Sequence, residues 1–113
     1  MEKIVQQGLL YDFYGELLTA HQRQIYEDVV FNDLSLSEIA KEQGISRQGV
    51  HDLVKRCDKL LGDYEEKLQL VSKFQQTKKM VEEIHHLTEE YMTTEDMDLI
   101  HKIQQISNNI IQL

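Results

Sequence analysis

The sequence predicts an all-α fold, on three observations: it contains no proline, its apolar residues recur at spacings of three and four almost throughout, and only short polar or glycine-containing joints interrupt that rhythm. A helix places residues three and four apart on one face, so this spacing marks amphipathic helices. Five or six helices and no sheet are expected. The length of 113 residues suits one domain, or one small domain with an appendage.

The first helix is predicted from Leu9/Leu10, Phe13/Tyr14 and Leu17/Leu18, a stripe advancing by four. It stops at Thr19-Ala20-His21-Gln22, a Thr-x-x-Gln capping box that opens the next helix, whose apolar residues are Ile25, Tyr26, Val29 and Val30. Asn32-Asp33 breaks the pattern after Phe31. Ser35, with Glu38 three residues on, forms a second capping box for a short helix ending at Gly44. Ser46 caps a third, which carries Val50, Leu53, Val54, Cys57, Leu60 and Leu61 on one side. Beyond Gly62 the chain becomes long and charged, with Tyr64, Leu68, Val71, Phe74, Val81, Ile84, Leu87 and Tyr91 in a narrow helical stripe. Thr93-Thr94-Glu95-Asp96 is a polar joint and N-cap. After it, Leu99, Ile103, Ile106, Ile110 and Leu113 step by the alternating four and three of a heptad over about two repeats. Two readings stay open for this stripe: a helix lying on its neighbour's core, or an oligomerisation seam. The division that results is a domain over residues 1–62 and an acidic helical tail over 63–113, the latter a candidate for making a homodimer.

Charge follows the same division. The formal net charge is -8, with 12 basic against 20 acidic residues, so the molecule as a whole repels polyanions. Residues 1–34 hold two basic and six acidic residues, residues 35–61 five and four, and residues 62–113 five and ten. The net-positive element is one short helix, residues 46–61, with Arg47, Lys55, Arg56 and Lys59 against Asp52 and Asp58. Any nucleic-acid contact is therefore local.

Residues 34–61, LSLSEIAKEQGISRQGVHDLVKRCDKLL, have the residue types of a helix-turn-helix. Two short helices that cross steeply need a small residue where they touch, a turn residue that accepts positive φ, and an apolar lock. Ala40, Gly44, and the set Ile39, Ile45, Val50 and Leu53 supply these. Arg47, Gln48, His51, Asp52 and Lys55 then lie away from the lock, at the end that a recognition helix sets against base edges of duplex DNA in the major groove. Arg47 suits guanine, Gln48 adenine, and His51 an acceptor on either, while Asp52 suits the cytosine amine. Ser46 and the first amides of the helix suit a phosphate, as do Lys55, Arg56 and Lys59.

Residues 19–61 resemble region 4 of sigma-70 factors, a helix pair preceding a helix-turn-helix. More closely, YDFYGELLT, LSLSEIA, ISRQGV and the YEEKL that opens the acidic tail resemble the YlxM family of small bacterial proteins. The resemblance covers nearly the whole chain and is weakest after about residue 75. It implies an all-helical DNA-binding protein without a wing, regulatory rather than enzymatic, and tied to the signal recognition particle pathway because members are encoded beside its GTPase. Gly49 stands where the family has alanine, at a cost of about 1 kcal/mol in helix propensity. Nothing in the chain supplies the second promoter-binding and melting domain of a sigma factor. A monomer with so little positive charge binds DNA weakly, so a dimer presenting two recognition helices is expected. The runner-up is an adaptor whose acidic surface binds a basic protein or ribonucleoprotein partner, such as the signal recognition particle.

The remaining constellations read as structural. Glu82-Glu83-Ile84-His85-His86 carries two Glu-x-x-His spacings, and Asp98 with His101 a partial copy, but Val81, Ile84, Leu87 and Tyr91 claim the inward face. A solvated helix face is expected there, not a metal site. Tyr11, Phe13, Tyr14, Tyr26 and Phe31 are expected to clamp the first two helices rather than stack bases. Cys57, the single cysteine, is expected to be a small buried residue. There is no Gly-rich phosphate loop, Cys pair or nucleophile elbow, so neither catalysis nor a cofactor is expected. No apolar run reaches the ~18 residues of a bilayer span. The start MEKIVQQGLLYDFYGELL lacks the features of a signal peptide, so no membrane insertion and a cytoplasmic location are expected.

Overall fold

The computed structural model describes residues 2–113. Six α-helices follow one another: α1 (Lys3–Tyr14), α2 (Ala20–Val30), α3 (Leu36–Gln43), α4 (Arg47–Leu68), α5 (Leu70–Thr94) and α6 (Met97–Ile111), with a 3-10 turn over Gly15–Leu17. The described residues contain no strand. They form two compact units, one ending at Gln69 and the other running from Leu70 to Leu113.

The helix starts follow the capping chemistry of the sequence. Thr19 Oγ1 accepts from the Gln22 amide at 3.1 Å while the Gln22 side chain accepts from the Thr19 amide at 2.9 Å, a complete capping box. Ser35 and Ser46 accept from the amides of Glu38 and Gly49; at Ser35 this is one half of the expected capping box, and the return bond to Glu38 does not form. Gly44 ends α3 at φ 69°, and the next amide, Ile45 N–H, reaches back to the Ala40 carbonyl at 3.0 Å. That six-to-one bond and left-handed residue make a Schellman turn, and glycine accepts its conformation without strain.

The core of the first unit joins three helices. Ile25 from α2, Ile39 and Ala40 from α3 and Val50 from α4 are buried together, with Val29, Leu36, Leu53 and Val54 packed around them. Full burial of each large aliphatic side chain is worth about 1.5–3 kcal/mol. Ile45, expected in the lock, is 37% exposed; Ile25 takes the interior place because α2 lies across the α3–α4 pair. Part of the expected aromatic clamp forms around Tyr11, whose ring lies 5.7 Å from Tyr26 and 5.3 Å from Phe31; Tyr14 instead meets Tyr64 of α4 at 6.0 Å, and Phe13 is 37% exposed.

Polar bonds fasten α4 to the helices before it. Asp58 accepts from the Tyr26 hydroxyl and, at 3.0 and 3.2 Å, from the Gln7 amide; Glu65 accepts from the Tyr14 hydroxyl. Burial and the facing Asp58 carboxylate push the Tyr26 phenol far above its ordinary range.

α4 does not end at Gly62. It runs on to Leu68 and stops because Gln69 adopts φ 54°, so the first unit closes later than the 62/63 division read from the sequence. Of the stripe read from the sequence beyond Gly62, Leu68, Phe74 and Val81 are 48%, 47% and 52% exposed.

The second unit is a hairpin of α5 and α6. Met80, Ile84, Leu87 and Tyr91 on α5 are half-buried, as are Ile103, Ile106 and Ile110 on α6, whose Leu99 is buried. At about 100° per residue these sets form the inner stripes of the two helices. Roughly 90° further round lie Phe74, Val81 and Met92 on α5 and Ile100 and Ile111 on α6, all exposed. Because the helices are antiparallel, equal turns bring both sets to the same side of the hairpin. The opposite side is a groove of about 440 Å³ whose exposed lining is mostly apolar, floored by Leu87 and Ile106 and rimmed by Glu83, His86, Glu90, Lys102 and Gln105.

Candidate nucleic-acid interface

The buried side chains of α4, Val50, Cys57 and Leu61, define its inner face, with Leu53 and Val54 half-buried beside them. On the opposite side, Gln48, Asp52, Lys55 and Lys59 fall within an arc of about 60°. All four are exposed, as are Ser46, Arg47, His51 and Arg56. Arg47 and His51 flank the arc on one side and join Gln48 and Leu36 of α3 around an open groove of about 430 Å³. Arg56 flanks it on the other side, turned about 100° from Lys55, and so faces away from that groove.

Hydrogen bonding distinguishes these residues further. Ser46 Oγ is engaged at 2.9 Å by the Gly49 amide, which leaves the amides of Arg47 and Gln48, in the first helical turn, to an outside acceptor. Gln48 Nε2 donates to Asp52 Oδ1 at 2.9 Å, one turn along the exposed face. His51 Nδ1 stands 3.8 Å from the same oxygen, too far for a hydrogen bond. Lys59 Nζ lies 3.7 Å from Asp63 Oδ2, a solvated pair of little energetic weight. Asp58, counted against the positive charge of the segment, is turned toward α1 and α2 by Gln7 and Tyr26. The carboxylate left within the reading arc is that of Asp52.

One basic residue escaped sequence reasoning. α1 brings Lys3 to a groove of about 350 Å³ that also holds His51, Lys55 and Asp58. Nothing local to Lys3 signals this; the proximity depends on α1 packing against α4.

The other candidates are accounted for structurally. Cys57 is fully buried, and desolvation raises its thiol to about 11, with the Asp58 charge adding and Arg56 opposing. His85 Nε2 pairs with Glu89 at 2.7 Å along α5. Among the described residues no three His, Cys, Asp or Glu side chains gather as metal ligands, and no helix is long and apolar enough to cross a membrane.

Comparison with known proteins agrees with this architecture. Residues 1–107 match the family UPF0122, described as "Putative helix-turn-helix protein, YlxM / p13 like". A UPF0122 protein of Desulforamulus reducens is 40% identical over 112 residues, covering 99% of this chain and 96% of the relative. One from Anoxybacillus flavithermus is 41% identical over 108 residues, 94% of this chain and 98% of the relative. Another, from Bacillus cereus strain AH187, is 39% identical over 108 residues with the same coverage. With a family match over nearly its full length and full-length relatives at such identity, the chain belongs to the UPF0122 family of helix-turn-helix proteins.

Proposed function

We propose that this chain is a DNA-binding regulatory protein of the cytoplasm that acts as a homodimer, and that it takes part in or regulates the signal recognition particle pathway. The observation that carries the DNA-binding reading is the outward face of α4: Gln48, Asp52, Lys55 and Lys59 in one arc, Arg47 and His51 beside it, on a helix locked by Ile39, Ala40 and Val50. In this reading Arg47, Gln48 and His51 reach base edges, and Ser46 and the first amides of α4 lie toward a phosphate. Lys55, Lys59 and Arg56 contact the phosphate backbone, with Lys3 extending the basic surface. The role in protein targeting rests on the YlxM resemblance.

Dimerisation uses the hairpin. Leu99, Ile103, Ile106 and Ile110 set the spacing of α5 and α6, and the apolar side bearing Val81, Met92, Ile100 and Ile111 is the surface offered to a second copy. Two such hairpins make a four-helix arrangement with a common interior.

The test is fluorescence anisotropy with the promoter duplex of the protein's own operon and a scrambled duplex, each at two salt concentrations. A promoter preference that survives the higher salt supports the reading. Weak binding, equal for both duplexes and abolished by salt, defeats it in favour of the adaptor. The adaptor reading has its own support in the groove of the hairpin, where Glu83 and Glu90, with Lys102 beside them, rim an apolar floor that suits an apolar segment carrying basic residues.

A further inference from the structure

Asp52 stands within the basic face of α4 with half its side chain exposed, where its charge repels phosphate. Its Oδ1 atom nevertheless holds Gln48 Nε2 at 2.9 Å, across one helical turn. An ionised carboxylate accepts hydrogen bonds and donates none, so chemistry alone requires the nitrogen end of the Gln48 amide to face Asp52. That nitrogen carries two hydrogens. With one committed to Asp52, the second and the neighbouring Oε1 remain as a donor and acceptor side by side. Such an edge complements adenine in the major groove, donating to N7 and accepting from the N6 amine. An unrestrained amide samples both orders of donor and acceptor; a restrained one presents a single order and so a single register.

We propose that Asp52 is a positioning residue that fixes Gln48 as a reader of adenine in duplex DNA, lowering affinity for phosphate while raising discrimination between bases. The inference rests on the DNA-binding reading above, in which Gln48 suits adenine, and adds to it the residue that enforces the choice. His51, at 3.8 Å from the same oxygen, does not compete for it as a hydrogen-bond donor.

The experiment is selection from a randomised duplex library by the full-length chain, with sequencing of the bound fraction, for the wild type and for Asp52→Ala, Asp52→Asn and Gln48→Ala. All three substitutions lie on the exposed face, and circular dichroism checks that helicity is kept. The wild type is expected to enrich adenine at one position by about tenfold. Gln48→Ala and Asp52→Ala should both lose that enrichment at the same position, while Asp52→Ala gains affinity for a scrambled duplex. Asp52→Asn, whose amide can accept from Gln48 or donate to it and so no longer enforces one order, should keep only part of the enrichment and also gain non-specific affinity. An Asp52→Ala protein with unchanged adenine preference overturns the inference and leaves the DNA-binding reading intact. A wild type that binds no duplex removes both readings together.

Discussion

The two compact units use apolar residues differently. In the unit ending at Gln69, Tyr14, Ile25, Tyr26, Ile39, Val50, Cys57 and Leu61 are all less than 2% exposed, and tyrosine-to-carboxylate bonds close the polar ends of that core. In the hairpin the most buried side chains, Val71 and Leu99, keep 7% and 5%, while Val81 is 52% and Met92 82% exposed. Two helices can cover one stripe of each other and no more, whereas helices crossing at several angles enclose an interior. The first unit therefore carries the means of its own stability. The second has a helix pair that leaves apolar side chains such as Val81 and Met92 exposed, the side on which the proposed dimer would form.

The strongest way to break this contrast is Ile39→Ala. Removing a fully buried side chain at the junction of α2, α3 and α4 should cost about 2–5 kcal/mol, read from the urea midpoint of tyrosine fluorescence. Tyr11, Tyr14, Tyr26 and Tyr64 all belong to this unit, so the probe reports mainly on it. A change below 1 kcal/mol would mean that the core is looser than its burial indicates.

The hairpin should respond in the opposite manner. Val81→Asp with Met92→Asp is expected to leave the helicity of the protein intact and weaken self-association by more than about a hundredfold, because two carboxylates must be desolvated in the interface. Sedimentation at several concentrations measures it. A double variant that associates like the wild type places the interface elsewhere.

Alkaline pH sharpens the comparison through the first unit alone. Tyr11 is raised to about 12, first by burial and then by its bond to Glu27; Tyr26 is raised further, by burial and Asp58; and Cys57 is raised from 9.0 to about 11. Each group holds its proton more firmly when folded than when unfolded. Its contribution is fully present below the unfolded value and is lost as pH climbs through the folded one. The urea midpoint should be insensitive to these groups at pH 8 and fall steadily from about pH 9 to 12. Tyr26→Phe, which removes the hydroxyl bonded to Asp58, should cost about 1.5–3 kcal/mol near neutrality and show a shallower alkaline decline. Parallel declines for variant and wild type would exonerate Tyr26.

The smallest effect expected is at Gly49. A Cβ there would stand 3.1 Å from the Ser46 hydroxyl that caps α4, so Gly49→Ala sets a gain of about 1 kcal/mol in helix propensity against a displaced cap. A net change below about 1 kcal/mol in chemical denaturation follows from those opposing terms. A larger loss would show that the cap governs the recognition helix.

Local chemistry made much of the first unit legible. Thr19, Ser35, Gly44 and Ser46 mark their helix ends because capping and left-handed turns depend on neighbours within three or four residues. The spacing of Val50, Leu53 and Cys57 likewise places Gln48, Asp52, Lys55 and Lys59 on the outer arc. What depends on distant packing left no such mark. Ile45 gave its interior place to Ile25 through the position of α2; Lys3, Gln7 and Asp58 meet only because α1 lies on α4. Gln69, Asp33 and Glu95 adopt positive φ without being glycine, so the break after α4 carried no residue signature.

Cys57 gives the molecule a built-in chronometer. Its thiol is completely covered and its proton firmly held, so an alkylating reagent must wait for the surrounding helices to part. The hairpin contains no cysteine, and labelling therefore times excursions of the helix-turn-helix unit alone. Added duplex DNA that grips the folded unit should slow that clock in proportion to its occupancy, allowing the native chain to report its own ligand without a dye or an engineered site.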